Sequence, residues 1–299
     1  MKRVPVLFAV IVCFQLASAL ALTASADDRS RAIGKAIKDV PIFDAHVHYK
    51  APAWGPYPPA TVIELMDKNG VAMALVSSTP DAGTIRLWQY APKRIVPELR
   101  PYHGTAGSSN WTKTAGMLDY LKQRLAKYPH QGIGEFHIHT LDPTDEPLLR
   151  AVTQMAKARR IPIHIHSGAR PVALLYRLEP SLTVIWAHAG MSEPADVVGR
   201  TMAKYPTLYA DTSYREGDIL GGSNGIDPAW RDVIERFQDR LMVGTDTWVN
   251  AQWDSYSELI ATNRRWLSYF PRSIAEKIAY RNAERLFKRK ISSALIGQR

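Results

Sequence analysis

Ile42-Phe43-Asp44-Ala45-His46-Val47-His48-Tyr49 is the stretch on which the fold turns. It is a short apolar run of strand character, with two histidines spaced two apart. Residues two apart on a strand point to the same side and lie about 6.5 Å apart along it. If that side faces the inside of a closed sheet, His46 and His48 offer two imidazoles to one ion at its mouth. Seven further runs of β-branched and apolar residues follow: 71–79, 94–102, 132–139, 162–168, 183–190, 208–213 and 241–248. Helical spacing fills the segments between them, as in 61–69, 114–128, 147–159, 196–205 and 228–238. Eight strands alternating with helices predict an α/β fold, a (β/α)₈ TIM barrel, with two or three additional C-terminal helices over 254–290. The competitor is an open doubly wound sheet, but no Gly-rich phosphate loop opens a helix after the first strand. The segments 50–60, 103–111 and 214–228 are long and rich in Pro, Gly or aromatics. In a barrel they fall at the carboxyl ends of the strands, where active sites form.

The first residues differ in kind from the rest. Lys2 and Arg3 precede an uncharged, largely apolar run over 4–22, and Ala24-Ser25-Ala26 supplies small residues before Asp27-Asp28. That order predicts a secretory signal peptide over 1–26, a single barrel domain over 27–299 and an exported, periplasmic or secreted protein. An uncleaved membrane anchor is the alternative, since the run approaches the length that spans a bilayer. The single cysteine, Cys13, lies in this run. Cleavage therefore excludes disulfides and thiolate chemistry, and leaves any metal to His, Asp or Glu. The net charge of +10 becomes +8 without Lys2 and Arg3. The basic residues are dispersed apart from Lys288-Arg289-Lys290, and no nucleic-acid motif is present. A small-molecule substrate is the expected partner; a homo-oligomer stays open.

Candidate ligands cluster at the carboxyl ends of the predicted strands. Besides His46 and His48, strand four carries Glu135, His137 and His139, strand five His164 and His166, strand six His188, and strand eight Asp246. A lone strand histidine is usually a hydrogen-bonded core or surface residue. Five strand ends in barrel order, all bearing ligands of one chemical type, point instead to a borderline divalent cation, zinc first.

The order His-x-His, Glu, His, His, Asp over strands one, four, five, six and eight resembles the amidohydrolase superfamily of metal-dependent hydrolases. The amidohydrolase-related branch is resembled in five places: Phe43 to His48, Pro162 to Gly168, Trp186-Ala187-His188-Ala189-Gly190, Gly244-Thr245-Asp246, and Asn282 to Phe287. The resemblance spans about 41–288. It implies that His46, His48 and His166 bind one or two metal ions, that His164 is a deeper partner on the same face, and that Asp246 is both ligand and proton acceptor. His188 would ligate a second ion or polarise the substrate. The strand-four position departs from the many members that carry a modified lysine there. Glu135 is left as a bridging ligand, a substrate-orienting carboxylate or a buried ion-pair partner.

Such a set supports hydrolysis of an amide, ester or lactone. A divalent cation makes a water nucleophile available at neutral pH, and Asp246 can take its proton. Arg100, His103, Tyr214, Arg215, Trp248 and His137 lie where a substrate would rest, an arginine there being able to clamp a carboxylate. Trp54 and Tyr57 form a lid or pack their own loop, whereas Trp111, Trp230, Trp253 and Trp266 read as core. Two rivals remain. One is a decarboxylase of the aminocarboxymuconate-semialdehyde type on the same scaffold. The other is an exported metal-binding protein without turnover, against which Asp246 beside His188 argues.

Overall fold

A computed structural model describes residues 37–221 and 225–291. All eight predicted strands are present, each starting within one residue of its expected position: β1 Ile42–Val47, β2 Val71–Ser77, β3 Ile95–Glu98, β4 Ile133–His137, β5 Ile163–His166, β6 Val184–Trp186, β7 Leu208–Asp211 and β8 Leu241–Met242. Every pairing is parallel, in two runs, β1-β2-β3 and β4 through β8. Backbone hydrogen bonds join these runs at both seams. Leu99 N donates to Gly132 O (3.0 Å) and Gly134 N to Leu99 O (2.8 Å) beyond β3, while Ala45 N donates to Val243 O (2.9 Å) and Asp246 N to His46 O (2.7 Å) beyond β8. The strands thus close into a barrel, which leaves no free sheet edge.

The alternation in β1 shows how sequence sets the layers. Phe43 packs outward, stacking on Phe287 of the C-terminal helix Asn282–Phe287 at 5.7 Å. Asp44, His46 and His48 take the opposite face and are nonetheless buried. Burial of a carboxylate demands partners. Asp44 has them across the last seam: it accepts from Thr245 N (3.0 Å), Thr245 Oγ1 (2.7 Å) and Tyr256 OH (3.0 Å). Burial raises its pKa to about 6, those hydrogen bonds limiting the rise. Asp44 therefore ties β1 to the segment after β8 at the level where both deliver site residues. Asn282 performs a related task lower down, its side-chain amide donating to Gln238 O and Leu241 O, both at 2.7 Å.

Two departures from the expected elements have a common cause. Strands six and eight were expected to run to Gly190 and Trp248, but they stop at Trp186 and Met242. Past those points His188 (φ 56°), Ala189 (φ 44°) and Asp246 (φ 49°) are left-handed, a conformation no strand accommodates. Helices Ala82–Tyr90 and Ala169–Leu178 fill two connections for which the alternation required a helix but no bounds were given. The tail forms Asn250–Asp254, Tyr256–Leu267, Arg272–Glu276 and Asn282–Phe287, with one π-helical turn at Lys277–Arg281. Trp111, Trp230, Trp253 and Trp266 are buried as expected. Trp54 and Tyr57 pack their own loop, Trp54 Nε1 donating to Tyr49 O at 3.1 Å and Tyr57 resting against Trp253. No helix among the described residues is long and apolar enough to cross a membrane. The proposed signal segment, its anchor alternative and Cys13 lie outside the described residues.

Candidate metal centre and substrate cavity

The even-spaced polar residues of the strands converge at the carboxyl end of the barrel. His46 Nε2 and His48 Nε2 are 3.2 Å apart. Asp246 Oδ1 lies 3.1 Å from His48 Nε2 and 3.4 Å from His46 Nε2, and its Oδ2 is 3.8 Å from His188 Nε2. Glu135 Oε2 is 3.3 Å from His48 Nε2, and Glu135 Oε1 is 2.6 Å from His166 Nδ1. His188 Nε2 in turn sits 3.2 Å from His166 Nδ1. Histidines and carboxylates from strand ends one, four, five, six and eight therefore share one small volume.

The protonation pattern of this cluster follows from what lies behind it. His46 Nδ1 faces Asp211 Oδ2 and Ser213 Oγ, both at 3.3 Å. Ser213 Oγ spends its own proton on Asp211 Oδ1, so it can only accept from the imidazole. His46 therefore carries its proton on Nδ1. His188 Nδ1 faces the same hydroxyl at 2.9 Å and Ser213 O at 3.1 Å, and is fixed in the same tautomer. At His48, Nδ1 meets both the Ser77 carbonyl oxygen, an acceptor, and Arg100 Nη1, a donor at 3.2 Å, so its neighbours permit either tautomer. A neutral ring at His46 or His188 turns a bare Nε2 lone pair toward its neighbours, and together with His48 Nε2 these atoms crowd against two carboxylates. Only positive charge makes such an arrangement favourable, and backing each imidazole with an acceptor on its far nitrogen is how histidine ligands are oriented. The donor set is nitrogen and oxygen without sulfur, which fits a divalent ion of zinc type. Among the described residues, four groups could offer ligand atoms within 4.8 Å of one another: His46, His48 and Glu135; His46, His188 and Asp246; His46, His164 and Asp211; and Glu135, His137 and His166.

A proton and a cation compete for His46 Nε2: burial works against charging the ring, yet Asp246 and Asp211 hold its pKa well above the ordinary histidine value. Burial likewise opposes ionisation of Glu135, but the Arg100 guanidinium and a hydrogen bond from His166 keep it well below the usual carboxylate range. Asp246 is lowered too, mainly by His46 and His48 acting against its burial. Glu135 forms the ion pair that was one of the readings open for it, and it also belongs to two of the candidate ligand groups. Arg100 Nη2 donates to Glu135 Oε2 at 2.7 Å and Arg100 Nε to Glu135 O at 3.0 Å.

A lower tier was only half expected. His164, set as a deeper partner, spans Glu98 Oε2 (3.1 Å) and Asp211 Oδ2 (3.2 Å), and their charges raise its pKa to about 9 despite burial. Asp211 was not anticipated. It is fully buried, contacts His46 and His164, and accepts from His188 N at 3.3 Å. The one signal for it was a carboxylate at the carboxyl end of strand seven.

Above the centre opens a cavity of about 600 Å³, lined by His48, Lys50, Arg100, Tyr102, Glu135, His137, His166, Met191, Tyr214, Asp246 and Trp248, among others. Its size suits a small-molecule ligand. His137 stacks on His166 (4.0 Å) and meets the Tyr102 hydroxyl at 2.8 Å, as befits a cavity wall, and burial lowers its pKa to about 3. His139 is exposed. Two expected substrate contacts lie elsewhere. His103 stacks on Tyr120 at 3.6 Å, and Arg215 sits over Trp230 and pairs with Asp218, so packing on neighbouring helices takes both side chains out of the cavity. Lys50, which the strand-end reading passed over, is in it.

Comparison with known proteins is consistent with this geometry. No curated protein matches the sequence. A lactonase from Listeria monocytogenes has the same fold with a TM-score of 0.61 at 14% identity, over 86% of this chain and 96% of that one. A phosphotriesterase homology protein from Escherichia coli, solved with phosphate in its active site, gives 0.55 at 13% identity over 83% and 99%. A probable 2-pyrone-4,6-dicarboxylic acid hydrolase from Acinetobacter baumannii, solved with citric acid bound, gives 0.54 at 15% identity over 83% and 99%. The family model described as amidohydrolase matches residues 43–289, from the residue before Asp44 to the one after Lys288. The chain belongs to the amidohydrolase family of metal-dependent hydrolases.

Proposed function

We propose that the protein hydrolyses an ester, lactone or amide bond in a small molecule, with zinc as its ion and Asp246 as the group that moves the proton. The observation that carries this reading is the convergence of the Nε2 atoms of His46, His48 and His188 on the ionised, cavity-facing carboxylate of Asp246. A bound divalent cation supplies a water of lowered pKa and polarises the substrate carbonyl. Asp246 lines the cavity from a left-handed backbone position, where its carboxylate could accept a proton from a water so activated and return it to the leaving group. His188 Nε2, bare and 3.8 Å from Asp246 Oδ2, is placed to ligate or to orient the attacked group. Arg100 keeps Glu135 ionised and in place, and so keeps His166 turned toward the centre.

Decarboxylation on the same scaffold is not favoured by the family match. Pure metal storage would have no use for an open cavity of this size beside a proton acceptor. The charged, apolar, small-residue order of 1–26 supports export with removal of that segment.

The test is a panel of aryl esters, lactones and amides, given to metal-loaded wild type and to Asp246→Asn. We expect turnover by the wild type with at least one bond class, and a loss of about 10²–10⁴ in kcat for the variant. Release of carbon dioxide from an aromatic acid, without hydrolysis of any panel member, would overturn the proposal.

A further inference from the structure

Both arginines with the chemistry to clamp a substrate carboxylate are committed elsewhere. Arg100 forks onto Glu135, and Arg215 is spent on Asp218, Glu193 O and the Trp230 ring outside the cavity. Among the described residues, the other Lys or Arg side chain lining the cavity is Lys50, two positions beyond His48. It forms no ion pair with a described carboxylate. Its Nζ lies 4.9 Å from the centroid of the Trp248 ring. A cation–π contact engages one side of an ammonium and leaves its other N–H donors free.

The surroundings of Lys50 describe a second half to this recognition. Trp248 is 45% and Tyr214 48% exposed, and the Trp248 indole N–H donates to the Tyr214 hydroxyl at 2.9 Å, which fixes both rings at the cavity rim. Aromatic surface held open beside a cation with no carboxylate partner suits a ligand that is apolar in one part and anionic in another. Charge balance points the same way. The cavity carboxylates Glu135 and Asp246 are offset by Arg100 and Lys50, so a divalent ion at the centre leaves the cavity net positive.

We infer that Lys50 is the specificity-determining residue of this cavity, binding a carboxylate of the substrate whose apolar body lies against Trp248 and Tyr214. The inference rests on the cavity being the substrate site of the proposed hydrolase, but its test needs no turnover. Calorimetric titration of metal-loaded protein compares 3-phenylpropanoate with 3-phenylpropan-1-ol, neither of which has a bond to hydrolyse. In the wild type the carboxylate binds about tenfold or more tighter than the alcohol, the scale of one charge-assisted contact. Lys50→Met lowers carboxylate affinity about tenfold and alcohol affinity by less than about twofold, whereas Lys50→Arg keeps most of the preference. Three results overturn the inference: no preference for the carboxylate in the wild type, a preference that survives in Lys50→Met, or no binding of either compound. Equal losses for both ligands in Lys50→Met also overturn it, since they assign Lys50 to packing on Trp248. A hydrolase active on the ester panel that gives any of these results keeps its activity and loses only this specificity.

Discussion

Asp211 accepts at one buried carboxylate from the His46 ring, the His164 ring, the Ser213 hydroxyl and the His188 backbone. Its charge and lone pairs fix which nitrogen of His46 carries the proton, and through Ser213 the same is done for His188. An amide at this position keeps the shape but replaces an acceptor with a donor and removes the charge. We expect Asp211→Asn to weaken metal affinity about 10–100-fold, measured by chelator competition. Affinity equal to wild type would detach Asp211 from the ligands. His46, His48, His166, His188 and Asp246 were legible because each sits at a strand end and their types agree as a set. Asp211 was not, because a single carboxylate at a strand end carries no spacing that sets it apart from a surface residue. The two misplaced substrate contacts fail for a related reason: His103 and Arg215 are near the right strand ends, but their direction is set by Tyr120 and Trp230, which lie on helices.

Strands β4 and β5 approach each other closely beside the residues they deliver to the site. Gly134 in β4 has φ 149°, and a Cβ there would lie 2.2 Å from His164 O and 2.6 Å from His164 Cβ. Backbone cannot yield as a flexible side chain would. We expect Gly134→Ala to destabilise the protein by about 3 kcal/mol or more in urea unfolding monitored by circular dichroism. A loss below about 1 kcal/mol would show that β4 and β5 can separate without harm. Strand starts were legible from the onset of apolar runs, since a strand covered on both faces reads as nearly continuous hydrophobic sequence. Strand ends were not. Trp186 to Gly190 continues the apolar composition and Val243 to Trp248 the β-branched one while the chain leaves the ladder, and neither histidine nor aspartate announces a left-handed φ in its neighbours' identities. The fold itself did not depend on those ends, only on the count and alternation of elements.

At the scale of the molecule, the carboxyl end of the barrel concentrates ionised groups and the stability of the whole becomes tied to pH. Glu216, mostly buried after β7, is the clearest case away from the centre: burial, with the Asp211 charge adding to it, raises its pKa from 4.5 to about 7. A carboxyl held above its unfolded value binds its proton more tightly in the folded state, so protonation favours folding. Its contribution therefore falls as pH rises from 4.5 through 7 and is level above that. Glu216→Gln removes this dependence, and its stability relative to wild type should grow by about 1–3 kcal/mol between pH 4.5 and pH 7 in denaturant titrations. A difference independent of pH would show that Glu216 is solvated. The larger claim is that strand ends far apart in sequence meet around a cation. Elemental analysis of protein purified without chelators tests it most directly, on the wild type and on His46→Ala. We expect about one or two divalent ions per wild-type chain, and loss of the ion bound through His46 in a variant that still folds. A folded wild type that is metal-free and takes up no ion on reconstitution would contradict the assignment of these residues to a metal centre.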